Sequence, residues 1–551
     1  MKQKHQHLPT ADSKRRVRAP LPEQVDVAVI GAGTGGLTAA AYLAAAGLKV
    51  AVFDSHYVAG GAATQFARKV NGGHLLFDIG LHYMGDCEPG GLVHRILEPL
   101  GIHQEFVQMP ADGYDTLLFP DFTFRVPADI DLYRQRQLDL FPSERRGIDR
   151  FIRLVRNAGR IAHEVFDTQE IPDLRTAYGI LTRSPHMIFD QHRTIRKLID
   201  SYTKNDRLKA VWLAPNGEYG VPASEASALI HAVLVEHYLR GAWYPKGGGQ
   251  SISDRLADRI EQNGGSIHLR RGIERILVEG KRVVGVRTEA GSRQEAVEVR
   301  ARVVVSNADL QKTMLELLGP EHLPRRVVRR AENWIMGGYT FMTCLGVDTD
   351  MRAKGMTSCN YMQFDNYDME IDYRTGHETE GYVPSNCYIT SSSLKDPDTS
   401  AHAPAGITVL EVMSQMGKGP AGWGIPPEQM IDGSYRKNPL YLERKQAVED
   451  NMVDRLESIF PGTREHIIFC ESATPASHAR FTRASDGATY GLAAIPAQFN
   501  LNRPSPRGPL KGLYFCGQSV RPSHGILGVM RSGRLAAAMI AKELRVRLPG
   551  D

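Results

Sequence analysis

The sequence predicts an α/β fold in which one sheet layer is begun, interrupted by a long insertion, and resumed. Three observations predict it. A strand, glycine turn, helix and second strand occupy residues 25–54. Short β-branched runs return between residues 266 and 305 and end on Val303, Val304 and Val305. The last block, residues 510–544, again reads strand, glycine turn, loop and helix.

The opening unit justifies its elements one by one. Residues 25–30 are apolar except for Asp26, the pattern of a buried parallel strand. Gly31, Gly33 and Gly36 follow in G-x-G-x-x-G spacing. Residues 37–46 are alanine-rich and free of proline, so they predict a helix, and Gly47 stops it. A second apolar run closes on Asp54. Gly31 permits the tight turn, Gly33 lets the backbone approach a pyrophosphate, and Gly36 lets the helix pack on the sheet. The helix start offers free N–H groups to phosphate. Asp54 stands where a carboxylate accepts from a ribose 2′-OH, which disfavours the 2′-phosphate of NADP and leaves FAD and NAD open. The unit is a Rossmann-type dinucleotide site. Gly60 and Gly61 predict a second close backbone approach to the nucleotide.

Beyond this unit, Asp78, Gly80, His82 and Tyr83 follow a strand-like run at residues 75–77. A strand end beside a nucleotide is where chemistry sits in such sheets. From about residue 128 to 239 the chain turns helical. Ile148, Phe151, Ile152, Val155 and Ile161 recur at helical spacing, with Arg150, Arg153, Arg156 and Arg160 between them. Such a helix lies on an anionic membrane surface or packs its apolar face into the core. Residues 228–234 read as fully buried helix. The block as a whole predicts helical cover over a substrate cavity. A second β-rich part begins near residue 339, and residues 447–460 predict a helix.

Composition excludes several classes. The chain has 551 residues, 67 basic and 62 acidic, for a net charge of +5, too mild to imply nucleic acid. Six scattered cysteines with no CxxC pair predict reduced packing thiols and a cytoplasmic protein. There is no apolar run of transmembrane length. Residues 1–22 predict a disordered basic arm. No HExxH occurs, and no metal is expected.

Taken together, VIGAGTGGLTAAAYLAAAGLKVAVFD, the Gly60-Gly61 pair, FDIGLHYMGD, YPKGGGQSISDRLADRI, VVVSNADL and LYFCGQSVRPSHGILGVMRSGRLAA resemble the phytoene desaturase, carotenoid isomerase and retinol saturase family of flavoproteins. DIGLHY is most similar to the retinol saturase branch. The resemblance implies an amine-oxidase-like (GR2) FAD-binding domain from residues 23–127, 240–320 and 505–551, with an inserted α+β substrate domain from 128–239 and 321–504. It implies FAD rather than NAD. By position, Gly31, Gly33 and Gly36 would hold the pyrophosphate and Asp54 the ribose. Gly60 and Gly61 would line the pyrophosphate or flavin side. Ile273 would offer backbone groups to adenine, and Gly517 and Gln518 would sit near the ribityl chain. Gly528 and Val529 would open a helix facing the flavin pyrimidine. Two positions depart from the pattern: Ala62 stands where many relatives have Arg, and Gln518 where many have an acid.

The implied activity is oxidoreduction at carbon–carbon double bonds of a long apolar polyene or isoprenoid. A saturase-type reductase is the first expectation, and a desaturase or redox-neutral cis–trans isomerase the alternative. A non-catalytic flavin-containing lipid-binding protein is the contrasting class. Reduction needs a proton donor beside the flavin; His82, Tyr83 and His524 are the candidates. Glu236 and Glu411 stand in apolar surroundings that raise a carboxyl pKa. No second nucleotide site is visible, so electrons would come from diffusing NAD(P)H or a redox protein. Met336, Phe341, Met342, Met362 and Phe364 read as core or as pocket lining. Peripheral contact at the inner face of the membrane is the accompanying expectation.

Overall fold

The computed structural model describes residues 16, 19–164, 192–291, 295–375, 382–396, 398–522 and 525–551. His524 lies outside them. The expected α/β class holds. The first sheet has seven strands. Gln24–Ile30 runs parallel between Val50–Asp54 and Glu298–Ser306. Ser266–Leu269 extends one side, and the antiparallel pair Ile273–Glu279 and Arg282–Thr288 extends the other. The late strand Leu513–Phe515 pairs parallel with Glu298–Ser306. Ile30 is in register with Phe53 and Ser306, and Ser306 with Phe515. The carboxyl ends of strands from the two termini and the middle therefore meet at one edge.

Burial explains the pairing. Val27, Val29, Val52, Val303 and Val305 are fully buried, and each such side chain contributes up to about 1.5–3 kcal/mol of apolar transfer. Helices Thr34–Ala45, Gln250–Gln262 and Ile526–Leu544 cover one face through Leu37, Leu43, Ile252, Leu256 and Ile540. The first and last of these helices cross at glycines. A Cβ on Gly533 would stand 2.2 Å from the Gly35 carbonyl oxygen.

A second sheet of seven strands runs in the order Ile467–Ala473, Tyr339–Val347, Thr408–Met416, Asn386–Thr390, Asn360–Phe364, Asp115–Leu118, Thr123–Val126. The last two strands lie on the amino-terminal side of the boundary expected at residue 127, yet they complete this second sheet. The hairpin Gln65–Val70 and Gly73–Asp78 ties it to the first layer. Leu76 N donates to His402 O (2.8 Å), and Asp78 N to Glu411 Oε1 (3.2 Å).

Helices Arg145–Glu164 and Ala228–Leu239 form the cover. Ile148, Phe151, Ile152, Val155 and Ala158 of the first are buried in one core with Trp212 and Ala232. Its apolar stripe is therefore spent on the protein interior, while Arg150, Arg153, Arg156 and Arg160 are exposed. The stretch 228–234 is not wholly buried, because Leu229, Val233 and Leu234 face a cavity. Helix Pro439–Ile459 begins eight residues earlier than the predicted 447–460. There Pro439 takes a first-turn position behind the Asn438 cap, as proline does. All six cysteines are free thiols, and all but Cys470 are buried. Among the described residues, no helix is long and apolar enough to cross a membrane.

Candidate active site

A cavity of about 1980 Å³ lies between the two sheets and runs under the helical cover. This is about twice the upper end for a site holding one small molecule, which is room for a dinucleotide and a second long ligand. Its two ends differ in construction.

The first end is backbone. Gly31 leaves the strand at φ +94° and donates its N–H to Phe53 O (2.7 Å). Gly33 precedes helix Thr34–Ala45 with no side-chain cap, so the first N–H groups of the helix are free for a ligand. A Cβ on Gly36 would stand 2.3 Å from Gly31 O. Gly60 (φ +131°) donates to Ala32 O (2.7 Å), and a Cβ on Gly61 would meet Gly33 Cα at 3.0 Å. Asp54 is bound by backbone on both oxygens: Ala32 N donates to Oδ2 and His56 N to Oδ1, each at 2.7 Å. Ile273 opens its strand at the cavity edge beside Gly272 and Glu289. Gly517 (φ +97°) donates its N–H to Ser532 Oγ (2.8 Å). The Gln518 amide is satisfied with its nitrogen donating to Thr489 O (3.0 Å) and its oxygen accepting from Gly491 N (3.2 Å). Gly528 and Val529 sit in the first turn of helix Ile526–Leu544 and line the cavity, where the helix presents its partial positive charge.

Asn307 joins these parts, and sequence reasoning gave it no role. Its N–H donates to Ile30 O (2.8 Å). Cβ atoms added at Gly33 and Gly35 would each stand 2.7 Å from its side chain, one at Gly517 2.8 Å, and one at Gly36 3.0 Å. One side chain thus occupies the space that four glycines vacate. The signal was present in VVVSNADL, where a β-branched run stops at a polar pair.

The second end is built of side chains. His82 and Tyr83 line it, in the loop after the hairpin. The Tyr83 ring stacks on Tyr238 (4.2 Å between centroids), with Tyr388 at 6.4 Å. Its hydroxyl lies 3.3 Å from Asp115 Oδ2 and 3.4 Å from Glu218 Oε1. Glu218 closes the turn Ala214–Glu218 and faces the cavity. Asp115 accepts from Asn360 Nδ2 at 2.7 Å. Beneath them Lys395 Nζ donates to His82 O (2.7 Å) and contacts Thr390 Oγ1.

Burial decides the charges here. It pushes Glu218 up to about 8, helped by the neighbouring Asp115 charge. It pushes Asp115 up to about 6 against the pull of Asn360, Lys395 and Tyr83. It lowers Lys395 to about 8, with Glu411, Asp115 and Asp78 opposing. Burial and the Lys395 charge lower His82 to about 3, so its imidazole is neutral, and its buried Nε2 has no hydrogen-bond partner. Glu411 is raised by burial and by Asp78, but it belongs to the second sheet and does not line the cavity. Glu236, also raised by burial, lines the far mouth with His163 and His237. Met342, Met362 and Phe364 line the cavity. Phe341 is core, stacked on Trp423, and Met336 packs with Leu492 at the first sheet.

A two-layer α/β chain with a glycine cradle at the strand ends and a buried acid–phenol cluster across a long cavity is the architecture of a flavin-dependent oxidoreductase. The chain belongs to the flavin-containing amine oxidoreductase family, whose model matches residues 34–541. It is similar to all-trans-retinol 13,14-reductase of Danio rerio, at 27% identity over 91% of this chain and 83% of that protein. It is also similar to prolycopene isomerase 2 of an Oncidium hybrid, at 25% identity over 95% of this chain and 84% of that protein. Among solved structures, cyclohexylamine oxidase of Brevibacterium oxydans shares the fold, with a TM-score of 0.59 at 18% identity, covering 95% of this chain and all of that one.

Proposed function

We propose that the protein is an FAD-dependent reductase that saturates a carbon–carbon double bond in a long apolar polyene or isoprenoid. The observation that carries this reading is the continuity of one cavity from the glycine cradle to an aromatic wall holding an acid. The cradle fits a dinucleotide, because Gly33 leads without a side-chain cap into helix Thr34–Ala45 and Gly61 brings a second stretch of bare backbone against it. In this reading Gly31, Gly33 and Gly36 admit the pyrophosphate, and Asp54 faces the adenosine ribose. Gly60 and Gly61 line the pyrophosphate, and Ile273 lies under adenine. Gly517, Gln518, Gly528 and Val529 hold the ribityl and flavin end. Residues 23–127, 240–320 and 505–551 act as the cofactor-binding part and residues 128–239 and 321–504 as the substrate part, with strands 115–118 and 123–126 serving the latter.

Bound FAD supplies hydride exchange at N5. The chain's own work is to orient the polyene along Met342, Met362 and Phe364, to exclude water, and to hold a proton near the bond. The Tyr83 ring stack and its two carboxyl partners support a role for Tyr83 in that last task. His82 is proposed to support the loop in its neutral form. Electrons arrive from NAD(P)H or a redox protein. Likeness to a prolycopene isomerase favours redox-neutral isomerisation as the second reading.

Anaerobic stopped-flow of the photoreduced holoenzyme with a retinoid or carotenoid tests the proposal. Reoxidation with a product gain of two hydrogens is expected. Bleaching of oxidised flavin by the polyene would point to desaturation. An unchanged product mass with altered geometry would point to isomerisation. Flavin indifferent to every polyene would remove the reading.

A further inference from the structure

We propose, resting on the reductase reading above, that Glu218 is the proton donor to the substrate double bond, with Tyr83 and Asp115 positioning and poising it. The geometry starts from a count of hydrogens. The Tyr83 phenol has one, and two carboxyl groups lie at 3.3 and 3.4 Å from its oxygen. That single hydrogen can serve only one acceptor. Unless the other carboxyl carries its own proton, it faces a phenol lone pair with no hydrogen between them.

The surroundings decide which carboxyl carries it. Asp115 accepts from Asn360 Nδ2 and feels the Lys395 ammonium. Among the described residues the Glu218 side chain has no cation within ion-pair distance, and its one hydrogen bond is to Tyr83. The titratable groups that act on it are Asp115, Tyr83, Tyr114, Tyr238, Tyr388, Tyr490 and Lys395. The Lys395 charge pulls the Glu218 pKa down, but burial and the Asp115 charge outweigh it. The chain then runs one way: the Glu218 carboxyl donates to Tyr83, and Tyr83 donates to the Asp115 carboxylate.

Position makes this proton usable. Glu218 faces the cavity, whereas Asp115 does not. The loops on either side belong to the cradle end. Gly80, three residues before Tyr83, lies so close to Ala62 that an added Cβ would stand 3.1 Å from Ala62 O. Tyr490, which packs against Gly220, sits between the Thr489 and Gly491 partners of Gln518. Glu218 is therefore held between the two loops that border the proposed flavin.

The step balances. A hydride from the reduced flavin forms one C–H bond, and the Glu218 proton forms the other on the adjacent carbon as the π bond breaks. The flavin is left oxidised by two electrons and is reduced again by a two-electron donor of the nicotinamide or redox-protein class. Glu218 is left as carboxylate and regains its proton from water when product leaves.

Glu218→Gln tests this, with Glu218→Asp as the conservative control and Tyr83 untouched. Infrared difference spectroscopy of the wild-type holoenzyme should show a protonated carboxyl band at pH 7 that fades near pH 8 and is missing in E218Q. E218Q should keep its flavin, read by absorbance, while polyene reoxidation of the reduced enzyme falls by about 10²–10⁴, the usual loss on removing a general acid. E218D should recover part of the rate with an altered alkaline limb. Wild-type reoxidation combined with equal speed in E218Q would overturn the assignment and leave the reductase reading standing. A wild-type spectrum with no carboxyl band at pH 7 would overturn it even if E218Q failed to fold. Wild-type flavin that no polyene reoxidises would bring down both.

Discussion

The two ends of the cavity recognise by different means. At the cradle end the work is done by what is missing: four glycines make room, and the groups presented inward are backbone N–H donors and a carboxylate fixed by two amides. At the far end the work is done by side chains that meet from a hairpin loop, a turn and a strand of the second sheet. The first construction is local and tolerates no added atom. The second is assembled by tertiary contact and is tuned by burial.

The largest expected effect breaks the first end alone. Gly36→Ala puts a methyl 2.3 Å from a backbone oxygen, where no side chain can yield. Purified protein should be colourless, with flavin absorbance lost and secondary structure retained by circular dichroism. Tyr83→Phe strikes the other end. It removes the hydroxyl shared by Asp115 and Glu218, so turnover should fall roughly 10-fold, less than the 10²–10⁴ expected on removing a general acid itself. Its flavin content should stay whole, and the alkaline limb of the rate profile should move.

A smaller effect follows from the raised Glu218 pKa. The folded chain keeps this proton up to about pH 8, whereas the unfolded chain releases it near 4.5. Between those values the folded state binds more protons, so this group's stabilising share is full below 4.5 and declines as pH rises toward 8. Urea unfolding of wild type against E218Q should show that decline in wild type only. The smallest effect sharpens the contrast among glycines. Gly47 has φ +84° but open space around its Cβ position. Gly47→Ala should lower thermal stability by roughly 1 kcal/mol for a left-handed backbone and leave flavin binding alone.

This contrast also explains what could be read from sequence. The cradle was legible because its requirements are written over short spans: a G-x-G-x-x-G spacing, a helix without proline, an acid at a strand end. Even the meeting of Gly31 with Gly517 was foreseeable, since both follow strand-like runs. Asn307 stayed silent because its importance lies in four neighbours far away in sequence. Glu218 and Asp115 were invisible for the same reason. Each is one carboxylate among 62 acidic residues, and only packing against Tyr83 distinguishes them. Glu411 and Glu236, chosen for apolar flanks, are indeed raised by burial. Flanking sequence could not say that one serves the second sheet and the other a remote mouth. The arginine-rich helix could not reveal from periodicity which apolar surface would claim its stripe; Trp212 and Ala232 did.

The pairing of Gln24–Ile30 with Glu298–Ser306, and of that strand with Leu513–Phe515, carries a consequence for biosynthesis. Gln24–Ile30 can pair early with Val50–Asp54, but its other neighbour is made much later, and that neighbour's own partner later still. During that interval one edge of the strand is unpaired, and contacts so distant along the chain form slowly. The helix Ile526–Leu544 is synthesised after all of these strands. Nascent chains released short of it should therefore be held by chaperones and remain unable to retain a chromophore, however complete their opening glycine turn.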